Sequence, residues 1–158
     1  MSVLSEEIGN ILRQKGLSLG TVESATGGLI SHLITGVPGS SDYYKGSVIS
    51  YSNDIKINVV GVKKSTLVKY GAVSPEVVEE MAAGGRQLLN VDICIADTGI
   101  AGPTGENSDK PIGLFYIGLS HSSMTFNQKY IFYGNRAQNN LKAARTALKI
   151  LKTYLKNL

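Results

Sequence analysis

Val3, Ile8, Ile11 and Leu12 recur near the 3.6-residue period of a helix, and Gly16 supplies a stop, so residues 2–15 predict an amphipathic helix. The pattern then changes to Leu17–Glu23, which reads as a strand, and Gly27–Thr35, which reads as a second helix. Gly36–Asp42 is dense in turn-formers and predicts a loop. Gly46–Ser52 alternates and is rich in β-formers, so it predicts a strand. A short helix opens at Ser52–Lys56, with Ser52 or Asn53 as its cap, and another covers Lys64–Tyr70. Ser74-Pro75-Glu76 combines an N-cap, a proline at the first helical position and an acid in the first turn, for a helix reaching Leu89. Val91–Thr98 is a strongly apolar strand. Ile112–Ser120 and Phe126–Phe132 predict two further strands, neighbours in the sheet because only about five residues join them. Arg136–Leu155 closes the chain as a helix, with Leu141, Ala144, Leu148, Leu151 and Leu155 on one stripe.

This order of helices and strands predicts an α/β fold: a three-layer α/β/α sandwich with a mixed β-sheet, in one domain over residues 1–158. Composition agrees, since 42% hydrophobic and 18% charged residues describe a folded globular chain. No run approaches the roughly 20 apolar residues of a membrane helix, so no membrane partner is expected. The N-terminus lacks the pattern of a secretory signal, and one cysteine, Cys94, cannot form an internal disulfide. Both fit the reducing cytoplasm. Cys94 lies in an apolar run, where it reads as buried filler.

The formal net charge is +4, and no Asp or Glu follows Asp109 while eight Lys and Arg do. Most of those eight sit in the last helix, where lysine ordinarily covers a solvated face. No zinc-finger spacing or RNP-like aromatic motif accompanies them, so nucleic acid is not the expected partner. An anionic small molecule accounts for the positive field equally well.

Ligands in open α/β sheets bind where strand-to-helix turns gather. Three such turns here are rich in Gly, Ser and Thr: Ser24–Gly28, Ser52–Lys56 and Thr98–Gly105. In the first, a serine hydroxyl stands beside the amides of a helix start, a geometry that suits a nucleophile, an oxyanion or a phosphate. Its plain alternative is an ordinary N-cap. In the second, Lys56 follows Tyr51 in a turn expected to be partly buried. Desolvation and a helix N-terminus would both favour its neutral amine, which can take a proton from Ser24. His32, inside an apolar helix, and His121, at a hairpin turn, make weaker bases. The P-loop and dinucleotide glycine motifs are absent, and no ligand set for zinc is evident, so neither a cofactor nor a metal is expected.

Glu23-Ser-Ala-Thr-Gly-Gly28, Tyr51-Ser-Asn-Asp-Ile-Lys56, Gly71-Ala-Val-Ser74, Gly99-Ile-Ala-Gly-Pro103, Lys110-Pro-Ile-Gly113 and Gly134-Asn-Arg136 occur in this order. Together they resemble the CinA C-terminal-domain family, whose stand-alone members include nicotinamide-nucleotide amidohydrolases. The resemblance spans nearly the whole chain. It implies hydrolysis of the carboxamide of nicotinamide mononucleotide to nicotinate mononucleotide and ammonia, and a homodimer. By the same resemblance Ser24 is similar to the nucleophile, Lys56 to its base and Tyr51 to a residue assisting them. Thr26, Gly27 and Gly28 match the turn that would hold an oxyanion. Gly99, Ile100, Ala101, Gly102 and Arg136 match segments lining the nucleotide pocket, where the planar fork of Arg136 suits a phosphate.

Three positions depart from the family pattern. Ala25 stands where many relatives have Cys, Glu106 replaces a glycine, and Tyr133 replaces a small residue before Gly-x-Arg. Glu106 and Tyr133 put the fit of the nucleotide in question. They motivate an alternative, a nucleotide-binding or interaction module without catalysis.

Overall fold

The computed structural model describes residues 3–105 and 109–158. Its sheet has five strands: β1 (Leu19–Glu23), β2 (Tyr44–Ile49), β3 (Ile93–Gly99), β4 (Leu114–His121) and β5 (Met124–Ile131). Their order is β2-β1-β3-β4-β5, with β1 parallel to both β2 and β3, and β4 antiparallel to β3 and β5. The sheet is therefore mixed. Six α-helices accompany it: α1 (Val3–Lys15), α2 (Leu29–Thr35), α3 (Asn53–Ile55), α4 (Lys64–Tyr70), α5 (Pro75–Leu89) and α6 (Arg136–Lys156).

The period-two alternation of the strands divides the core in two. Leu19, Ile93, Ile95, Phe115, Ile117 and Leu119 pack against apolar residues of α1, α2 and α6. Val22, Cys94 and Ala96 point the other way, onto Val77, Val78, Met81 and Ala82 of α5. This is the expected three-layer α/β/α sandwich. Cys94 is buried filler, and burial pushes its thiol up to about 12. No described helix is long and apolar enough to cross a membrane.

Local signals set most element ends. Ser74 Oγ accepts from the Val77 N–H and Pro75 opens α5, while Asn135 and Gln138 close a capping box at α6. Most other ends shift by one or two residues, and three differences from the sequence reading have a distinct physical form. First, β2 runs Tyr44–Ile49, not Gly46–Ser52, because it pairs with β1 from Leu19–Tyr44 to Glu23–Ile49 and ends where β1 ends. Second, β4 and β5 extend toward each other until two residues, Ser122 and Ser123, join them, and Ser122 takes the left-handed φ of 54° that glycine usually marks. Third, the short helix after Ser52 does not stop at Lys56. It continues as a π-helical turn, Lys56–Val60.

Helix α5 seats that turn. Gly84 and Gly85 lie inside α5, where each glycine costs about 1 kcal/mol relative to alanine. A Cβ at Gly84 would lie 2.2 Å from the Val60 carbonyl oxygen, and one at Gly85 would lie 2.2 Å from Val22 Cγ2. Close approach of helix to sheet and π turn offsets the helical penalty. The π turn that begins at Lys56 is packed against α5 through Val60.

Candidate active site

Strand β1 ends at Glu23, and the chain turns at Ser24 before α2 begins at Leu29. Neither Ser24 nor Thr26 caps this helix. The cap position is Gly28, and the carboxylate of Glu23 reaches over the first turn instead. It accepts from the N–H groups of Gly28, Ile30 and Ser31 and from the hydroxyls of Thr21, Thr26 and Ser31. A second buried carboxyl group, Asp97 on β3, accepts from the N–H groups of Ser24 and Thr26 at 3.1 and 3.2 Å. Two acids thus fix the backbone of the turn, leaving the Ser24 hydroxyl free for other work.

That hydroxyl faces Lys56. The distance from Lys56 Nζ to Ser24 Oγ is 3.1 Å, and Lys56 is only 1% exposed. Nζ also donates to the carbonyls of Ser50 at 2.6 Å and Tyr51 at 3.2 Å. A neutral amine has two N–H donors and one lone pair. Here two carbonyls take the donors, which leaves the lone pair for the Ser24 O–H. Desolvation by burial lowers the Lys56 pKa, partly opposed by the charge of Asp97. Burial is thus the leading cause, and Lys56 stands at the C-terminal end of α3, not at the helix N-terminus that the sequence suggests.

Around this pair lies a cavity of about 230 Å³, lined in part by Ala25, Asn53, Val73, Ile100, Thr104 and Arg136. Ser24, Lys56, Tyr51, Thr98, Gly99, Ala101 and Gly105 line it too, so the three turns marked in the sequence do converge. The loop after β3 is tied down by Gly113, whose N–H donates to the Ile100 carbonyl at 2.7 Å. Gly113 has φ 88°, and a Cβ there would lie 1.8 Å from the Phe132 carbonyl oxygen, so glycine is required. The buried amide of Asn139 holds the Ala101 and Gly134 carbonyls together. Thr98 Oγ1 donates to the Ala72 carbonyl, drawing the Gly71–Ser74 segment to the site.

Arg136, the first residue of α6, donates to the Gly102 carbonyl at 2.9 Å and to the Tyr51 hydroxyl at 3.1 Å. Tyr51 is 62% exposed, so the two form an open rim beside the buried dyad. Gly102 lines an adjoining hollow shared with Pro103, Ile112 and Arg136. A separate groove of about 380 Å³ between β5 and α6 is larger than the cavity at Ser24, yet it presents no paired nucleophile and base.

Thr26, Gly27 and Gly28 do not line the cavity. The N–H of Thr26 is taken by Asp97, that of Gly27 by the Ser24 carbonyl, and that of Gly28 by Glu23. The geometry thus corrects the expectation that these amides await an oxyanion. Among the described residues the Ala25 N–H, next to Ser24, has no hydrogen-bond acceptor. His32 is exposed, and His121 Nδ1 lies 2.6 Å from the Tyr154 hydroxyl, far in sequence and structure from the site elements. Tyr133 is 87% exposed and lines neither hollow, while Glu106 lies outside the described residues. Among the described residues no group of three His, Cys, Asp or Glu is placed to hold a metal.

Glu23, Asp97 and Asn139 were not singled out as working residues from the sequence. For Asp97 a signal existed: an acid inside the apolar run Ile93–Thr98 is rarely left buried without partners.

Residues 1–155 match the CinA C-terminal domain family. A CinA-like protein of a Sulfurihydrogenibium species is 42% identical over 152 residues, covering 96% of this chain and 38% of that protein. The chain thus spans well under half the length of the curated relatives it matches. Among solved structures, a competence-damaged protein (CinA) superfamily protein of Klebsiella pneumoniae superposes with a TM-score of 0.95 at 30% identity, covering 98% of this chain and 97% of that one. The competence/damage-inducible protein CihA of Agrobacterium tumefaciens gives 0.89 at 33% identity, covering 99% of both chains.

Proposed function

We propose, from the premise that this chain belongs to the CinA C-terminal domain family, that it is an amidohydrolase that uses Ser24 and Lys56 to cleave the carboxamide of nicotinamide mononucleotide. The observation that carries this reading is the 3.1 Å contact between Lys56 Nζ and Ser24 Oγ inside a buried pocket. It lies within the ~2.6–3.2 Å reach that proton transfer requires.

In the proposed reaction, neutral Lys56 takes the Ser24 proton as Oγ bonds to the carboxamide carbon. The carbonyl oxygen becomes an oxyanion, for which the Ala25 N–H is the available donor. Collapse of the tetrahedral intermediate breaks the C–N bond, and Lys56 returns its proton to the leaving nitrogen, releasing ammonia. Water, deprotonated by Lys56, then attacks the acyl ester, and Ser24 leaves with its proton restored. The products are nicotinate mononucleotide and ammonia. Arg136 and Tyr51 would hold the phosphate end, since a guanidinium fork matches phosphate oxygens.

The test is ammonia release from purified protein supplied with nicotinamide mononucleotide, alongside Ser24→Ala and Lys56→Ala. Activity lost in both variants supports the assignment. Equal release by all three proteins would sink it, and binding without turnover would favour a non-catalytic nucleotide-binding module.

A further inference from the structure

Asp97 and Glu23 are fully buried carboxyl groups behind the nucleophile, and the reaction above uses neither. They stand on neighbouring strands one residue past the ladder pair Val22–Ala96, on the same sheet face as Leu19 and Ile95. The Thr26 hydroxyl lies between them, 2.5 Å from Asp97 Oδ1 and 2.8 Å from Glu23 Oε1. One hydroxyl proton cannot serve two carboxylate oxygens at once, so a second proton is needed to make both contacts hydrogen bonds.

Glu23 has little room for that proton. Its Oε1 already accepts from Thr26, Gly28 and Ile30, and its Oε2 from Thr21 and twice from Ser31. Apart from Thr26 Oγ1, the donors that Asp97 meets among the described residues are the amides of Ser24 and Thr26. A proton on Oδ1 completes a chain from Asp97 through Thr26 to Glu23. Burial pushes the Asp97 carboxyl up to about 6, against the pull of Thr26 and the two amides.

Ser24 stands between Asp97 and Lys56, its N–H 3.1 Å from Asp97 Oδ1 and its Oγ 3.1 Å from Lys56 Nζ. The charged groups that face Asp97 among the described residues are thus Glu23 on β1 and Lys56 on the π turn. Its partner on β4 is Ile117, and α6 covers this sheet face with Ala143, Ala144 and Ala147. An ionised Asp97 favours the charged form of Lys56.

We propose that Asp97 is a positioning residue that holds the Ser24 turn and titrates as one unit with Lys56. With the proton on Asp97, Lys56 is the neutral amine that activates Ser24; with Asp97 ionised, the proton stays on Lys56. The two arrangements hold equal numbers of protons, so their interchange needs no co-reactant. The catalytic meaning rests on the Ser–Lys reading above, but the coupling itself does not.

An NMR titration of the Lys56 side chain in substrate-free protein tests it. In Asp97→Asn the midpoint should fall by about one pH unit or more, the size of a coupled pair. The acid limb of kcat/KM for ammonia release should move to lower pH with it. Asparagine offers one oxygen to two amides, so this variant can fail to fold. The second arm therefore follows the Asp97 carboxyl carbon in wild type and Lys56→Met. Loss of the cation should raise its midpoint by a similar amount. An unchanged Lys56 midpoint in Asp97→Asn, or an unchanged Asp97 midpoint in Lys56→Met, would overturn the proposal. A wild type that releases no ammonia yet shows both shifts would sink the amidase reading alone.

Discussion

The two halves of the cavity are built by different means. On the side proposed to react, Ser24 is 8% exposed and Lys56 is 1% exposed, and buried acids hold the turn that carries the serine. On the opposite side, Tyr51 and Arg136 are exposed and hold one another through a single contact of 3.1 Å. Burial on the first side changes chemistry, because a desolvated lysine loses part of its hold on a proton. Exposure on the second leaves the Arg136 cation in water, where it can attract an anion by its charge. If this contrast is right, substitutions on the two sides must fail in different ways.

The largest effect is expected on the buried side. Lys56→Met should cost about a thousandfold or more in kcat, since members of a catalytic unit are not individually dispensable. Calorimetry across pH sharpens the same variant. The folded-state pKa of Lys56 is depressed, so its contribution to stability is complete above the unfolded value of about 10.4 and is lost as pH falls through the folded value. Relative to Lys56→Met, wild type should therefore gain melting temperature as pH rises through that window. A pH-independent difference would mean that Lys56 is not desolvated.

Next comes the open side. Arg136→Ala should raise KM about ten- to a hundredfold with kcat little changed, the loss expected for charge-assisted hydrogen bonds. A fall in kcat with KM unchanged would place Arg136 in the reacting half and break the comparison.

Smaller still is the effect of the seat behind Lys56. Gly84→Ala would drive a Cβ against the Val60 carbonyl, and overpacking of this kind costs about 1–3 kcal/mol. Chemical denaturation should show that loss, together with reduced turnover as the π turn shifts. Higher stability with full activity would mean that the glycine is not needed for the approach. The smallest effect belongs to Tyr133→Gly. Its side chain projects into solvent, so stability should change by less than about 0.5 kcal/mol and KM hardly at all. A marked change in KM would show that it reaches the nucleotide.

Much of this was legible in the sequence because the signals were local. The Ser74-Pro75 start of α5, the apolar run of β3 and the stripe of α6 each identify an element without reference to the rest. The convergence of the Ser24, Lys56 and Gly99 turns also followed from their position at strand ends. What stayed hidden depends on distant partners. The amides of the first turn of α2 are held by a glutamate on the preceding strand, so Thr26 and its glycines looked available when their amides were already taken. The end of β2 is set by pairing with β1, and the π turn by contact with Gly84 across the molecule. Spacing along the chain carries none of that information.

The central claim is that Ser24 performs the chemistry in the buried half while the open half only binds. It is tested most directly by measuring ammonia released from nicotinamide mononucleotide by wild type and Ser24→Ala at equal concentrations of folded protein. The account predicts steady release by wild type, with one nicotinate mononucleotide formed per ammonia, and a rate at least about a thousandfold lower in Ser24→Ala. Undiminished release by Ser24→Ala would contradict it.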